Sequence, residues 1–561
     1  MPPSPIDNLA RSYHTVRHMK PEQVMWRAWY RLYRPRPDLA PAPPLRATAV
    51  KWEAPIAKAV SMTGPNYFRF HDLELSIASP DCWDNAFCDR LWLYNLQYFD
   101  DLNAREAEER LEWHRRLIHR WVAESPPGSG TGWEPYPTAL RIVNWIKWGL
   151  AGNGLHAKWR DSLAIQARWL VKRLERHLPG NRLLVEAKAL VFAGLFFEGQ
   201  EPRNWLHCGL AILAREIPEQ ILPDGGHFER SPMVHARTLE NLLDLINLSR
   251  AYADAVPAIH RPFLETWPDI AARMHRYLAL MCHPDGRIAF FNDAATGIAP
   301  SLTELEHYAA RLRLAALDGA GEGLTHLADT GYIRMADKEA VALLDVAPIG
   351  PDFLTGHAHA DTLSFELSLY GRCVLVNSGT SEYVTGAERR RQRGTPAHNT
   401  VTVNDTDSSE VWRGYRVGRR ARPFGLWVED GKEAMKVSCS HDGYHRLTGR
   451  VIHRRFWQLA PGELRVTDTV EGHFKTARAH FHFHPGIEIK AYDRGFSAYL
   501  GEGRRLNITV DGGTARLRPS TWHPAMGASV PNQRLEILFR GAKLETVFSW
   551  QQKFRYSELG L

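Results

Sequence analysis

The sequence predicts an all-α domain followed by an antiparallel β-sandwich. In the first half of the 561-residue chain, apolar side chains recur with a period near 3.6 residues. Beyond about residue 328, alternating runs rich in β-branched and aromatic residues replace the long helical patterns. Because helices come first and strands follow, the two kinds of element form separate packing units. We therefore expect a helical domain over residues 1–328 and a β-sandwich over residues 329–561.

The helical half divides into amphipathic stretches separated by helix-breaking turns. Segment 106–125 carries an apolar stripe, and Thr138 is a suitable cap for a second helix that carries Ile142, Trp145 and Leu150. Further helices are predicted over 156–177, 183–197, 205–217, 233–255, 260–281 and 301–314. The turns PGN, PDGG and PDG lie between several of them. Short connections of this kind predict antiparallel helical hairpins.

The second half contains short runs with a period of two. The clearest are AVALLDV, TLSFELSL, CVLVNS, NTVTVND, RRFWQLA, ELRVTDTV and ARAHFHFH. Turn residues separate them, and each run has the length of a single strand. The pattern predicts the strands of an antiparallel sandwich.

Composition narrows the function classes. The net charge of +7 and the pI near 9.0 favour an anionic partner without choosing between nucleic acid, a membrane surface and an acidic sugar. Neither a recognisable nucleic-acid module nor an apolar run long enough to span a membrane is present in the sequence. Six scattered cysteines exclude a disulfide scaffold. The N-terminus lacks a signal-peptide core, so we expect a cytoplasmic protein, with periplasmic or secreted placement left open.

The clearest group of potentially reactive residues lies in the segment GHAHADTLSFELSLYG at 356–371. If this run is extended, His357, His359 and Asp361 lie on one face. His357 and His359, with His398 as a third histidine, could bind Zn²⁺, and Asn377 is a weak oxygen ligand. Equally, His357 could act as a catalytic base or neutralise a substrate charge. The alternative is that these histidines only make hydrogen bonds within the sandwich.

Three further segments could line a groove. Segment 221–245 places His227, Glu229 and His235 around a Gly-Gly turn, although it could also be an ordinary connection between helices. In segment 130–148, Tyr136 and Arg141 could face a substrate, with Arg141 clamping a carboxylate, while the tryptophans there could equally be core. The third segment, 388–422, is a basic run that contains Arg393 and has a local net charge of +5.

Taken together, these segments resemble the heparinase II/III-like family of polysaccharide lyases. The likeness extends over 92–104, 132–148, 180–197, 223–235, 356–369, 376–383 and 392–404. It implies an incomplete α-toroid followed by an antiparallel β-sandwich. It also implies β-elimination on a uronic-acid polysaccharide, since relatives cleave heparan sulfate and alginate. A related fold serves an epimerase.

The resemblance also assigns roles to single residues. Asn181 matches the group that masks the uronic carboxylate, and His357 matches the histidine that serves as base or neutraliser. His359 and His398 match metal positions of some relatives, with Asn377 where those relatives have an Asp. No cofactor is required, and zinc is an optional ligand. We expect substrate-binding roles for Tyr136, Arg141, His227, Glu229 and Arg393.

Two departures from the family pattern bear on activity. Relatives usually have Asn-His where this chain has Asn181-Arg182, and Arg182 can still mask a carboxylate. Relatives also usually carry a Tyr where this chain has Val234, which cannot transfer a proton. The candidates to replace it are Tyr383, His227 and His235, although helix geometry turns His235 by about 100° from Val234.

The predicted function is therefore a polysaccharide lyase acting on an acidic polysaccharide. The catalytic set is Asn181, Arg182, His235, His357 and Tyr383. Two alternatives remain at this point. One is a catalytically silent glycan-binding protein of exopolysaccharide assembly, favoured by Val234. The other is a uronyl C5-epimerase, which shares the proton abstraction. The sequence leaves the oligomeric state open.

Overall fold

The computed structural model describes residues 5–315, 319–492 and 495–551. Within them, helices dominate the first half and antiparallel sheets the second. This order confirms the predicted fold class. In the part of the chain that the structure describes, we find no helix with the length and apolar character needed to cross a bilayer.

Thirteen α-helices occur in the described residues. They are α1 (Pro5–Val16), α2 (Pro21–Leu32), α3 (Arg90–Tyr98), α4 (Leu111–Glu124), α5 (Pro135–Leu150), α6 (Ala157–Arg173), α7 (Asn181–Phe196), α8 (Gln200–Gln220), α9 (Pro232–Ala251), α10 (Arg261–Glu265), α11 (Trp267–Leu280), α12 (Leu302–Arg311) and α13 (Ala387–Arg393). Helix α7 is central, because it packs against α5, α6, α8 and α9 and its side chains from Leu183 onward are buried. This explains why its apolar pattern covers nearly every face.

Two predicted helices differ in detail. The segment predicted as one helix over 260–281 is two, α10 and α11, because Pro268 lacks an N–H and restricts the residue before it. Thr138 does not cap α5. The helix begins at Pro135, and the Thr138 hydroxyl donates to the carbonyl of Gly132 at 3.2 Å.

The described strands are all paired in antiparallel fashion. They are β1 (Met62–Gly64), β2 (Tyr67–Phe70), β3 (Leu73–Ser76), β4 (Gly323–Leu327), β5 (Tyr332–Ala336), β6 (Ala340–Asp345), β7 (Phe365–Leu369), β8 (Arg372–Leu375), β9 (Val401–Val403), β10 (Val411–Trp412), β11 (Arg416–Val417), β12 (Pro423–Asp430), β13 (Met435–His441), β14 (Ile452–Ala460), β15 (Glu463–Glu471), β16 (Ala477–His482), β17 (Ile489–Tyr492), β18 (Gly495–Gly501), β19 (Arg504–Asp511), β20 (Gly513–Trp522), β21 (Val530–Phe539) and β22 (Lys543–Gln551).

These strands form three main sheets and two small ones. The orders are β4-β5-β6-β7-β8, β12-β13-β14-β15-β22-β19-β18-β17 and β20-β21-β16-β9, with the small sheets β1-β2-β3 and β10-β11. Phe365, Trp457 and Phe481 come from different sheets and share one buried cluster. The sheets therefore stack face to face around a common core. Sheet β1-β2-β3 lies in the half predicted to be all helical, and β4 begins at Gly323, before the expected boundary at 328/329.

A tight seam joins the two halves. The backbone N–H and the hydroxyl of Thr330 donate to Asp224 Oδ2 at 2.7 and 2.8 Å. A Cβ at Gly226 would lie 2.3 Å from Thr330 Cγ2, so only glycine permits this approach. Arg230 Nε donates to the carbonyl of Thr330 at 2.7 Å. The turn at 223–226 therefore fixes the helical half against the first two strands of the sandwich.

Candidate active site

A buried carboxylate, Asp293, lies at the centre of a polar cluster between the two halves. It accepts hydrogen bonds from His357 Nδ1 at 2.9 Å and from His359 Nε2 at 2.8 Å. Arg389 donates both terminal nitrogens to it, with Nη2 at 2.7 Å from Oδ2. Burial works against ionisation, but the Arg389 charge and the hydrogen bonds outweigh it and hold the pKa of Asp293 well below its ordinary value. Asp293 is therefore an ionised anchor.

The contact with Asp293 fixes the tautomer of His357. A carboxylate can only accept, so the ring proton lies on Nδ1 and leaves Nε2 unprotonated in the neutral imidazole. The His357 side chain is 28% exposed, and its Nε2 lies 3.8 Å from Glu229 Oε2. Burial lowers the pKa of His357, but the carboxylates of Glu229 and Asp293 outweigh burial and raise it above its ordinary value. An Asp–His pair of this kind can take up or hold a proton.

Glu229 links His357 to the start of α7. A Cβ at Gly180 would lie 3.3 Å from Glu229 Oε1, so this buried carboxylate adjoins the first residues of the helix. Burial raises the pKa of Glu229. Asn181 and His357 therefore border one cleft, although they come from different halves of the chain. In the described part of the chain, Asn181 Oδ1 is buried and has no hydrogen-bond partner. A buried acceptor without a partner is unfavourable, and a donor from water or a ligand would satisfy it.

Arg182 extends the same edge of the cleft. Its Nε donates to Glu175 at 2.9 Å, and its guanidinium lies 4.9 Å from the centre of the Tyr136 ring. The side chain keeps about a third of its surface exposed. Arg182 is thus positioned by α7 and Tyr136 while part of its charge faces solvent.

Tyr383 packs against the apolar cluster that contains Val234. Its ring lies edge-on to His357, with 6.1 Å between centroids, and stacks on Tyr415. The Arg389 guanidinium lies 5.2 Å from the Tyr383 ring centre. Burial and the Asp293 charge raise the pKa of Tyr383. A tyrosine from the sandwich half therefore packs against the cluster of Val234 and lies beside His357.

Arg237 lies one turn after Val234 in α9. Its Nη2 donates to the Tyr136 hydroxyl at 2.8 Å, and its charge acts on Tyr383 as well. The spacing of three residues puts Arg237 on the helix face of Val234. A cation therefore adjoins the position where relatives usually carry a Tyr.

The structure places two predicted substrate-binding arginines inside the protein. Arg141 is fully buried and donates to Gln166, to the backbone of Gln97 and to Gly132, so its guanidinium faces the interior and not a substrate carboxylate. Arg393 is also fully buried and donates to the carbonyl of Ala358 at 2.9 Å. Because Ala358 follows His357 directly, this hydrogen bond fixes the loop that carries His357, and Arg393 has a positioning role.

Two predicted histidines also face inward. His235 Nε2 lies 2.8 Å from the carbonyl of Met274, and burial lowers the pKa of His235 to about 4. It contributes to the packing between α9 and α11. His227 is fully buried, and its Nε2 lies 3.1 Å from Gln220 Oε1. Of the three candidates to replace the missing tyrosine, only Tyr383 adjoins His357.

The predicted zinc ligands are engaged with one another and with the protein. His359 Nδ1 and His398 Nε2 lie 3.3 Å apart, while His359 Nε2 contacts Asp293. Asn377 Oδ1 accepts the backbone N–H of Asn399. Residues 5–315, 319–492 and 495–551 contain no group of three His, Cys, Asp or Glu side chains arranged to hold a metal ion. Two imidazoles and a neutral amide do not supply the ligand set that zinc requires.

Sequence reasoning missed three residues of the cluster. Asp293 lies in the loop FNDAATG, where a lone Asp gives no pattern, and Arg389 lies within the basic run without being singled out. Arg237 had the clearest signal, since it follows Val234 by one helical turn. The run HAHAD is an irregular loop and not a strand, so its residues are arranged by Asp293 and not by alternation.

Two family models and several known proteins are similar to this chain. The family models described as Heparinase II/III N-terminus and Heparinase II/III-like, C-terminal match residues 156–310 and 319–551. FtsZ-localized protein C of Caulobacter vibrioides (strain NA1000 / CB15N) is 26% identical over 421 residues, 70% of this chain and 67% of that protein. A heparin-sulfate lyase of Bacteroides stercoris is 27% identical over 252 residues, 41% of this chain and 37% of that protein. The alignment thus spans well under half of that lyase.

The fold has a solved counterpart. The crystal structure of heparinase III superposes with a TM-score of 0.66 at 17% identity, covering 86% of this chain and 79% of that one. At this level of identity the likeness concerns the fold. It confirms the incomplete toroid of helical hairpins followed by an antiparallel β-sandwich.

Proposed function

Because the chain belongs to the heparinase II/III-like family, we propose that it is a polysaccharide lyase that cleaves a uronic-acid polymer by β-elimination. The observation that carries the proposal is the Asp293–His357 pair, which in the neutral imidazole leaves Nε2 as a proton acceptor on the side of Glu229 and the start of α7. Elimination needs such a base beside a group that masks the uronic carboxylate.

Carboxylate masking falls to the helical half. The proton on C5 of a uronate is weakly acidic, and neutralising the adjacent carboxylate stabilises the enolate-like intermediate. The side-chain NH₂ of Asn181 is the donor for the uronic carboxylate, and Arg182 supplies a partly exposed guanidinium beside it. Arg237 adds a third polar group on the side of Tyr136.

Proton transfer falls to the sandwich half. His357 Nε2 takes the C5 proton, and the electrons of that bond form the C4–C5 double bond. The bond between C4 and O4 then breaks, and O4 takes a proton from the Tyr383 hydroxyl. Because burial raises the pKa of Tyr383, that hydroxyl stays protonated at neutral pH and holds the proton that O4 takes up.

The direct test is to mix the purified chain with glucuronan, alginate, heparan sulfate and bacterial exopolysaccharides. Lyase action produces the ultraviolet absorbance of the new C4–C5 double bond. Absence of that signal with every polymer would count against the proposal. Solvent deuterium at C5 without cleavage would identify an epimerase instead.

Replacing Tyr383 by phenylalanine is expected to lower kcat about 10²-fold, because the ring contacts remain while the proton for O4 is lost. Binding of the polymer should change little, which separates a catalytic from a structural role. Tyr67→Phe, at an exposed position of β2, is the matched control. Full activity in Tyr383→Phe would remove this residue from the mechanism.

The pH dependence of kcat/KM tests His357 as the base. A base must be neutral to act, so activity should rise as pH rises through a pKa above the ordinary 6.5. Glu229→Gln removes a negative charge that raises this pKa, and the acidic limb should therefore move to lower pH. The exposed substitution Glu112→Gln should leave the limb in place. If the pKa of the acidic limb were unchanged or higher in Glu229→Gln, the limb would belong to a group other than His357.

A second candidate function rests on Val234. This side chain is buried in an apolar cluster, so the position taken by a Tyr in relatives offers no proton here. A chain that keeps the cleft but transfers no proton would bind acidic glycans without cleaving them. Turnover that disappears in His357→Ala would reject this alternative. A large gain of activity in Val234→Tyr would support it.

A further inference from the structure

The first helix exposes an apolar face. Leu9, Tyr13 and Val16 follow the spacing i, i+4, i+7, which places them on one side of α1. All three are largely exposed, Leu9 to 73%. A helix in a globular protein normally buries such a stripe. In the described residues, α1 therefore presents its apolar side to solvent.

The second helix repeats this arrangement. Val24, Met25, Trp29 and Leu32 lie along one side of α2 and are all exposed, with Trp29 at 53% and Leu32 at 79%. Single exposed apolar residues are ordinary, but seven on two consecutive helices are unusual and favour an interacting surface.

The opposite sides of both helices are fixed to the protein body. Thr15 of α1 donates to the carbonyl of Val417 at 2.9 Å, and Arg11 lies 3.8 Å from Glu410. On α2, Gln23 donates to the carbonyl of Phe353 and Tyr30 stacks under Arg173. Because polar contacts hold the inner sides, the apolar sides point away from the molecule.

Positive charge surrounds these apolar faces. Segment 5–37 carries Arg11, Arg17, Lys20, Arg27, Arg31, Arg34 and Arg36 against Asp7 and Glu22, a net charge of +5. Arg17, Arg31, Arg34 and Arg36 are exposed, and within the described part of the chain none of them makes an ion pair. Their charge is therefore available to an anionic surface.

We propose that α1 and α2 dock the protein onto a bilayer surface that contains anionic phospholipids. Helices with Trp and Leu on one side and Arg and Lys beside them lie in the plane of the membrane interface, with the apolar side among the acyl chains. Tyr13 and Trp29 are the amphipathic aromatics that favour the headgroup level. The arginines pair with lipid phosphates. This inference does not depend on the proposed lyase activity.

The test is cosedimentation of the full chain with vesicles. The chain should sediment with vesicles of phosphatidylcholine and phosphatidylglycerol, much less with phosphatidylcholine alone, and less as salt rises. The double variant Trp29→Gln/Leu32→Gln should lower partitioning about tenfold or more, because both side chains leave the apolar phase. Arg31→Gln/Arg34→Gln should weaken binding only to the anionic vesicles.

The matched control is Phe87→Gln/Ile259→Gln, which removes two apolar side chains elsewhere that are at least as exposed. It should sediment like the wild type, and circular dichroism should show that all variants are folded. Failure of the wild type to bind anionic vesicles, or unchanged binding of Trp29→Gln/Leu32→Gln, would overturn the proposal. A dimer seen by sedimentation velocity without vesicles, and lost in that variant, would assign the face to a second copy.

Discussion

Replacing His357 by glutamine is expected to lower kcat/KM for polymer cleavage by about 10²- to 10⁴-fold. Glutamine keeps a hydrogen-bond donor for Asp293 but has no nitrogen that can accept the C5 proton. The measurement is the initial rate of double-bond absorbance with the best polymer substrate. The fold should persist, because the side chain is partly exposed and the buried Asp293 keeps its other donors.

The matched control for this variant is His119→Gln, at an exposed position of α4. It should leave kcat/KM unchanged. If His357→Gln retained near-normal turnover, the base would have to be another group. If both substitutions reduced activity equally, the loss would not be specific to the Asp293–His357 pair.

Replacing Asp293 by alanine is expected to lower the free energy of unfolding by about 3–5 kcal/mol. The reason is that Arg389 is fully buried, and its charge would lose the carboxylate that it contacts through two nitrogens. Because the pKa of Asp293 is held low, its contribution is present above the ordinary carboxyl pKa and is lost as pH falls through the native value. Denaturant titration at neutral pH measures the difference.

Asp293→Asn is the companion substitution, in case the alanine variant does not fold. It keeps the shape but removes the charge, so it should lose less stability while still lowering kcat/KM through the orientation of His357. Glu112→Ala removes an exposed carboxylate paired with Arg115 and should cost below about 1 kcal/mol. If Asp293→Ala lowered the free energy of unfolding no more than Glu112→Ala does, Asp293 would not be an anchor.

The order of helices and strands could be predicted because each has its own period. The runs AVALLDV, RRFWQLA and ELRVTDTV correspond to β6, β14 and β15 almost residue for residue. In β14 and β15, buried and more exposed side chains alternate because one face of each strand is buried, whereas every residue of β6 is buried. The break at Thr266 was harder to anticipate, since the apolar pattern continues through it and only Pro268 signals the interruption.

The candidate site could be predicted only in part, because its centre depends on contacts between distant segments. Asp293 and His357 are 64 residues apart in the chain, and the loop between α11 and α12 carries no period that points to the pairing. The motif at 356–361 drew attention to His357 and His359, and the structure places both against Asp293. Its geometry depends on a carboxylate that the motif does not contain.

Burial of charged side chains explains the arginines whose place differs from expectation. Arg141 follows Thr138 in a helix that is buried on nearly every face, so its guanidinium is satisfied by neighbouring carbonyls and by Gln166. From sequence alone, an arginine that binds backbone cannot be told from one that faces a groove. Both occur beside aromatic residues, and here the partner is Trp121, 3.9 Å from the Arg141 guanidinium.

The seam formed by Asp224, Gly226 and Thr330 has a consequence for how such proteins can be recombined. Chimeras that exchange the two halves between relatives will keep a working geometry only if these three positions are inherited together, because one misplaced methyl group at residue 226 would push the halves apart. In libraries of hybrid proteins, the fusion points should therefore lie in the loops of the sandwich and not at this junction.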